Sequence, residues 1–452
     1  MPKELVSINM SLKPRASRLK AASLFSSAGI GELGIEAAGL DIVLANELLP
    51  SRAALYRANF GHEMLEGDIS VKKNEFIERT RTQLGADELF LLYATPPCQG
   101  MSSNGMGKLK SEVASGRRNH EDQRNRLIIP AMDVAVALKP RWLLLENVPG
   151  METTEIRIND DHWENIISYV RKRLGSDYVG GPQVIACDDF GVPQRRKRLI
   201  TIFTRDANAK RFYESNIDSF FTLDMKESRV TLKNAIGTAP PLDAKVGHNE
   251  ARWFHPYHYV PVMTDLKYHW VQHTKEGNTA FNNQCVNPAC GSITNPGHKD
   301  VQVDGKWVSS KDIPIYCHEC GHLLPRPHVV EAGKARLMRG FHSAYRRMKW
   351  DDTARTLTQN FIYEASDNKI HPSQNRVLSV YEAMVLQTIN RYDYTFQING
   401  KDISTAQIAE VIGESVPPYL IEKICRMMVA TSLVTSEMIR KPGRIQIPLE
   451  VA

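Results

Sequence analysis

Between residue 21 and about residue 205 the chain alternates short apolar runs with amphipathic stretches, and this rhythm limits the fold more tightly than any other feature. The runs Ala21–Phe25, Ile42–Asn46, Leu89–Tyr93, Trp142–Glu146, Gln183–Cys187 and Leu199–Phe203 read as buried strands. Between them, Gly31–Ala38, Pro50–Asn59, Leu127–Leu138 and Trp163–Leu174 read as helices. Strand–helix alternation predicts an α/β fold with a doubly wound, mostly parallel sheet, because each crossover between parallel strands must run over a sheet face. Apolar residues make up 42% of the 452, enough for such a core. The length exceeds that of an ordinary single domain, so a second domain is expected.

The rhythm lapses from about 243 to 340, where His, Tyr, Asn, Pro and Trp crowd in. Four of the seven cysteines fall in this block, as Cys285-x4-Cys290 and Cys317-x2-Cys320, each pair followed by a glycine. Paired thiols in a chain with no secretory leader pattern point to metal rather than disulfides, and four thiolates suit a closed, structural zinc site. Four ordinary free thiols are the alternative. The same block interleaves Arg252, Trp253, His255, Tyr257, His258, Tyr259, Lys267, Tyr268, His269, Trp270 and His273. Such mixing suits a nucleic-acid surface, with aromatic packing around the metal as the competing reading. The expected division is a basic arm over 1–20, a catalytic domain over 21–242, a smaller, irregular, zinc-stabilised module over 243–340, and a return over 341–452. Helical periodicity is expected again from Trp350 to Gln387, and a C-terminal helix near 408–428 would complete the first domain.

Chemistry concentrates at strand ends. Leu89–Tyr93 runs into Ala94-Thr95-Pro96-Pro97-Cys98-Gln99-Gly100, where two prolines stop the strand and present a lone thiol. In open α/β sheets that end of a strand is where ligands collect. The residues from Gln99 to Gln123 have the composition of a loop. Leu144-Leu145-Glu146-Asn147-Val148-Pro149 places a carboxylate at another strand end. Phe190-Gly191-Val192-Pro193-Gln194-Arg195-Arg196-Lys197-Arg198 leads into Leu199. Leu24-Phe25-Ser26-Ser27-Ala28-Gly29-Ile30-Gly31 is a strand breaking into a small-residue loop, where a backbone can approach a ligand. Far downstream comes Ile412-Gly413-Glu414-Ser415-Val416-Pro417-Pro418.

In this order the motifs resemble those of the cytosine-5 DNA methyltransferase family, of the bacterial restriction–modification type, over most of the chain outside 243–340. The resemblance implies a Rossmann-like, S-adenosylmethionine-dependent fold. It implies methyl transfer to carbon 5 of a cytosine in duplex DNA by covalent addition of Cys98 to carbon 6 of a flipped base. Cysteine suits that role, since its thiolate is strongly nucleophilic near neutral pH. By the same resemblance Glu146 bonds or protonates N3, Asn147 holds the turn, and Arg198 with Arg196 bonds O2. The donor would lie against Phe25, Ser27, Gly29, Ile30, Asp68, Ile69 and Pro97, with Glu47 on the ribose hydroxyls. The family's glycines fall at the places of Ser27, Gly29 and Ile30, so this chain departs at two of them, with Gly31 one position later. Its usual asparagine is replaced by Glu414. The family places target recognition in the block around 243–340. The zinc reading comes from the cysteine spacing alone, since most members lack such a cluster.

A net charge of +6 permits a polyanionic partner without demanding one. No apolar run is long enough to cross a bilayer, and Met1–Lys20 lacks the apolar core of a signal peptide, so a cytoplasmic, nucleoid-associated monomer is expected. A cognate restriction endonuclease is the expected functional partner. Two rivals remain: a tRNA cytosine-5 methyltransferase, and a DNA-binding relative without turnover.

Overall fold

The apolar runs pair into one seven-stranded sheet. The strands in chain order are β1 (Leu19–Leu24), β2 (Leu40–Glu47), β3 (Glu63–Glu66), β4 (Leu89–Ala94), β5 (Trp142–Asn147), β6 (Glu155–Asn159), β7 (His162–Asn165), β8 (Val179–Ala186), β9 (Gln194–Arg195) and β10 (Lys197–Thr204). The sheet order is β3-β2-β1-β4-β5-β10-β8, and β6 and β7 form a separate hairpin. β1 pairs in parallel with β2 on one side and β4 on the other, so the winding reverses between β1 and β4. β10 runs antiparallel to both β5 and β8. The computed structural model describes residues 19–97, 101, 122–159, 162–216, 218–222, 225–298, 300–303, 306–309, 313–338, 344–366 and 369–433. Cys98 lies outside the described residues, as do nearly all of the expected basic arm and of the loop after the thiol.

β4 and β5 are buried along their whole length, as expected of strands covered on both faces. One face carries α1 (Ile30–Ala37) against the C-terminal helix Pro418–Leu433, the other α3 (Ile69–Leu84) against the helix Ile128–Leu138. Between β2 and β3 runs α2 (Pro50–Asn59), started by a proline in its first turn. β8 tolerates Gly180, Gly181 and Pro182 because it is an edge strand. A Cβ on Gly180 would sit 2.0 Å from the Ile202 carbonyl oxygen, so its glycine permits the close approach of β10.

Three expectations are corrected. Trp163 belongs to β7 rather than to a helix, which starts only at Ile166, where the Asn165 side chain accepts from the Ile167 and Ser168 N–H groups. The stretch Trp350–Gln387 is helical only over Val380–Leu386. The helix expected near 408–428 is two, Thr405–Glu414 and Pro418–Leu433, broken where Pro417 and Pro418 follow Val416.

Among its described residues the block after 243 holds one short α-helix, Asp265–Gln272, a 3-10 turn at Ala280–Asn282, and two-stranded ribbons. Its own buried cluster includes Tyr268, Trp270, Phe281 and Tyr345. Buried arginines supply what regular structure does not. Arg347 donates to the carbonyls of Val271, Thr274, His371 and Gln374, and Arg326 to those of Asn283, Pro296 and Pro314. Residues 232–233 lie beside residues 350–352, far along the chain. Leu232 N–H donates to Asp352 O at 2.9 Å and Lys233 N–H to Trp350 O at 3.0 Å. Ala354–Arg355 pairs in parallel with β9.

Candidate active site

A cavity of about 1290 Å³ opens at the carboxyl ends of β1, β2, β4 and β5, the topological switch point of the sheet. Phe25, Ser27, Ile30, Glu47, Asp68, Ile69, Pro97, Glu146, Arg196 and Arg198 all line it. Gly29 does not. Its φ of 83° favours glycine, and a Cβ there would sit 2.2 Å from the Phe60 ring, so it shapes the loop from behind. Ser27, at a family glycine position, takes the left-handed region with φ 47°, a strain tolerated where function or packing demands it.

At one end, Glu47 accepts from the N–H groups of Ser27 and Leu49, each at 2.8 Å. Burial raises its pKa, and those N–H groups oppose the rise. A carboxylate fixed this way presents its remaining lone pairs to the cavity in a set orientation. Asp68 caps α3 by accepting from Ser70 N–H.

At the other end, Arg198 Nε lies 2.6 Å from Glu146 Oε1, and both side chains are nearly buried. Antiparallel pairing sets this up, since Ile200 faces Glu146 in register and Arg198 precedes it by two residues on β10. Burial pushes the Glu146 carboxyl above its ordinary range, while the Arg198 and Arg196 charges pull it back. Asn147 holds the neighbouring turn: its Nδ2 donates to Pro96 O at 3.0 Å, and Thr95 Oγ1 donates to Phe25 O. Gly150 packs so closely that an added Cβ would sit 2.2 Å from Met101 O, fixing the chain just beyond the residues around Cys98.

Arg196 is tied into the fold by the returning chain. Although it borders the cavity, it is 1% exposed and donates to Leu357 O at 2.9 Å and Gly413 O at 3.0 Å. It ties two distant returning segments to the junction between β9 and β10. Those segments, Thr356–Asn360 and Gly413–Val416, complete the wall. Sequence reasoning missed the first of them. Glu414 pairs with Arg52 at 3.3 Å and accepts from Gln359. Its departure from the family residue was the available signal.

The four cysteines meet in space. Their ligand atoms lie within 4.8 Å of one another, with Cys285 Sγ 3.6 Å from Cys320 Sγ and Cys290 Sγ 3.9 Å from Cys317 Sγ. Disulfide sulfurs stand about 2 Å apart. A tetrahedral Zn–S site with bonds of about 2.3 Å has S–S edges of about 3.8 Å. Gly291 and Gly321 take φ of 58° and 66° and close the two turns. The Asn295 and Asn287 amides approach Cys317 and Cys320 sulfurs. Of the expected nucleic-acid surface, Tyr257, His258, Tyr268 and Trp270 are buried and serve packing. Trp253 is 82% exposed, and Arg252 stacks over Tyr259.

Residues 19–430 match the C-5 cytosine-specific DNA methylase family. The chain belongs to that family. It is therefore a DNA (cytosine-5-)-methyltransferase, as its motif order implied. Type II methyltransferase M1.HgaI of Avibacterium volantium is 30% identical to this methyltransferase over 414 residues, 89% of the chain and 96% of the relative. M1.HphI of Haemophilus parahaemolyticus is 31% identical over 222 residues, 49% of the chain and 53% of that relative. These matches support the bacterial restriction–modification type. The fold is also that of a prophage-encoded E. coli protein assigned as a DNA modification methyltransferase. Its TM-score is 0.55 at 18% identity, covering 91% of this chain and 98% of that one.

Proposed function

We propose that the methyltransferase takes its methyl group from S-adenosylmethionine and acts on a flipped cytosine through Cys98. The observation that carries this reading is the cavity itself: one continuous space with a ribose-type carboxylate, Glu47, at one end and the Glu146–Arg198 pair at the other, lined at its rim by Pro97. Bound S-adenosylmethionine supplies an electrophilic methyl group. The Cys98 thiolate adds to carbon 6 of the ring, which makes carbon 5 an enamine carbon able to take that methyl. Glu146, its carboxyl pushed above its ordinary range by burial, donates to N3 as charge builds there, and Arg198 orients Glu146 and the ring oxygen. Loss of the proton on carbon 5 then expels the thiolate. Incubation of the purified protein with radiolabelled S-adenosylmethionine and either duplex DNA or tRNA tests the reading, and transfer to tRNA alone would favour the RNA rival. Bisulfite sequencing of DNA from expressing cells would report the methylated base and its context.

Glu47→Ala should weaken S-adenosylmethionine binding at least about tenfold and leave duplex binding nearly unchanged. Each charge-assisted hydrogen bond to a ribose hydroxyl contributes about 1.5–3 kcal/mol before water compensates. Unaltered cofactor affinity in calorimetry would refute the ribose role.

The reading extends to the module after 243, which would read the DNA sequence around one structural zinc held by Cys285, Cys290, Cys317 and Cys320. The sulfur spacing supports it, as does the module's small core. Elemental analysis should find one zinc per chain. Replacing one of these cysteines should disturb the module and sequence-specific binding, while S-adenosylmethionine still binds the separately packed sheet domain. Loss of cofactor binding in such variants would contradict that separation. Among the described residues no helix is long and apolar enough to cross a membrane. A cytoplasmic, monomeric enzyme paired with a restriction endonuclease completes the proposal.

A further inference from the structure

One buried acid in the cavity has no part in the chemistry above. Glu32 lies in the first turn of α1, lines the cavity and is 1% exposed. Its carboxylate accepts from Ser23 Oγ, which in turn bonds Ser26 Oγ at 2.8 Å. Among the described residues no Lys or Arg forms an ion pair with it. An unpaired carboxylate this deeply buried is costly, and a fixed positive charge nearby is what normally offsets it. Among the described residues, hydroxyls rather than a Lys or Arg bond it.

We infer that Glu32 is the carboxylate that answers the positive end of the methyl donor: it carries a proton in the free enzyme and gives that proton to solvent when a cationic group of the donor enters the cavity. The inference rests on the donor reading proposed above. A donor of that kind carries two positive groups, a sulfonium and an α-ammonium, and either would serve. The ionisation state agrees, since burial raises Glu32 to about 7 against the hydrogen bonds from Ser23 and Ser26. An acid poised there changes state with little energy input when a charge arrives.

The surroundings bear on this assignment. Tyr56, Tyr93 and Tyr394 face Glu32, and each is held well above its usual range by burial, so none ionises near neutrality. His62 is the one cationic influence on Glu32, and it is engaged by Glu36 at 3.4 Å and by Tyr56 Oη. On the C-terminal helix packed against α1, Glu422 and Arg426 pair with each other. Glu47, Glu146 and Glu414 also line the cavity with raised values. The variant described next leaves all three in place.

The test is calorimetry of the full chain at pH 6.5 in two buffers of different ionisation enthalpy, which counts protons exchanged on binding. Three probes are used: S-adenosylmethionine, S-adenosylhomocysteine, which keeps only the ammonium, and 5′-methylthioadenosine, which has neither positive group. Wild-type protein should release roughly three-quarters of a proton with S-adenosylmethionine and none with methylthioadenosine. E32Q should lose that release. Release with S-adenosylhomocysteine assigns the ammonium as the partner, and its absence assigns the sulfonium; either supports the inference. Equal release with methylthioadenosine, binding of S-adenosylmethionine without proton release, or unchanged release in folded E32Q overturns it. The wild-type comparison of probes holds even if E32Q does not fold. Failure of every probe to bind would overturn the donor reading, and this inference with it.

Discussion

Cys98→Ser is expected to lose at least about 10³-fold in methyl transfer while retaining duplex binding. The alcohol is far less ionised than a thiol near neutral pH and is a weaker nucleophile when neutral. Removing a nucleophile that forms a covalent intermediate commonly costs this much or more. Binding should survive because the surfaces that would hold DNA, in the module after 243 and along the cavity rim, do not depend on the sulfur. Single-turnover transfer with labelled donor, beside a filter-binding or fluorescence measurement of duplex affinity, separates the two effects. A serine variant turning over near the wild-type rate would end the assignment of Cys98 as nucleophile. Loss of DNA binding in parallel with activity would show that the substitution had broken the turn held by Asn147 instead.

Glu146→Gln should lower the transfer rate by about 10²–10⁴-fold, the usual contribution of a positioned acid, with little change in cofactor affinity. The amide keeps the shape but cannot pass a proton to N3. It also removes the charge that Arg198 meets at 2.6 Å, so part of the loss will come from a reoriented guanidinium. The pH profile distinguishes the two. Burial holds the Glu146 pKa above its unfolded value, so the protonated form persists to higher pH than an exposed glutamate would allow. In wild type, a rate that uses that proton should fall as pH rises through the folded pKa. In the glutamine variant that limb should vanish, leaving only the rise from thiol ionisation. If the variant instead binds S-adenosylmethionine poorly with an intact pH profile, Glu146 belongs to the donor site.

The central sheet was largely legible because its strands are buried on both faces and therefore read as unbroken apolar runs, as in Leu89–Ala94 and Trp142–Asn147. Helix α3 was missed. Its buried positions, Ile69, Phe76, Ile77, Thr80 and Leu84, are sparse, and charged residues fill its outer face. β8 was shortened by the glycine pair and proline that an edge strand can accept. The stretch after Trp350 misled in the opposite direction, because residues buried by packing against other segments, such as Leu357, Phe361 and Ile370, imitate helical spacing without a helix. Site residues carried by a motif at a strand end were readable. The carbonyl partners of Arg196, and Glu32 altogether, were not, since those partners come from distant parts of the chain and Ser23 and Ser26 look unremarkable in sequence. The cysteine pairs were readable because their short spacing brings two thiols into one turn, and the two turns meet.

The side-by-side stapling of Leu232–Lys233 to Trp350–Asp352 has a consequence for how such enzymes diversify. A segment whose two ends are pinned together can be exchanged as a cassette, provided the replacement keeps the fixed gap between those ends and the few contacts, such as Tyr257 against Phe396, that join it to the host. Grafting the intervening segment of a relative at these two points should leave the catalytic machinery standing. The same chemistry would then be directed to a different DNA word, and new specificities could arise by recombination at the staple rather than by gradual change at each contact.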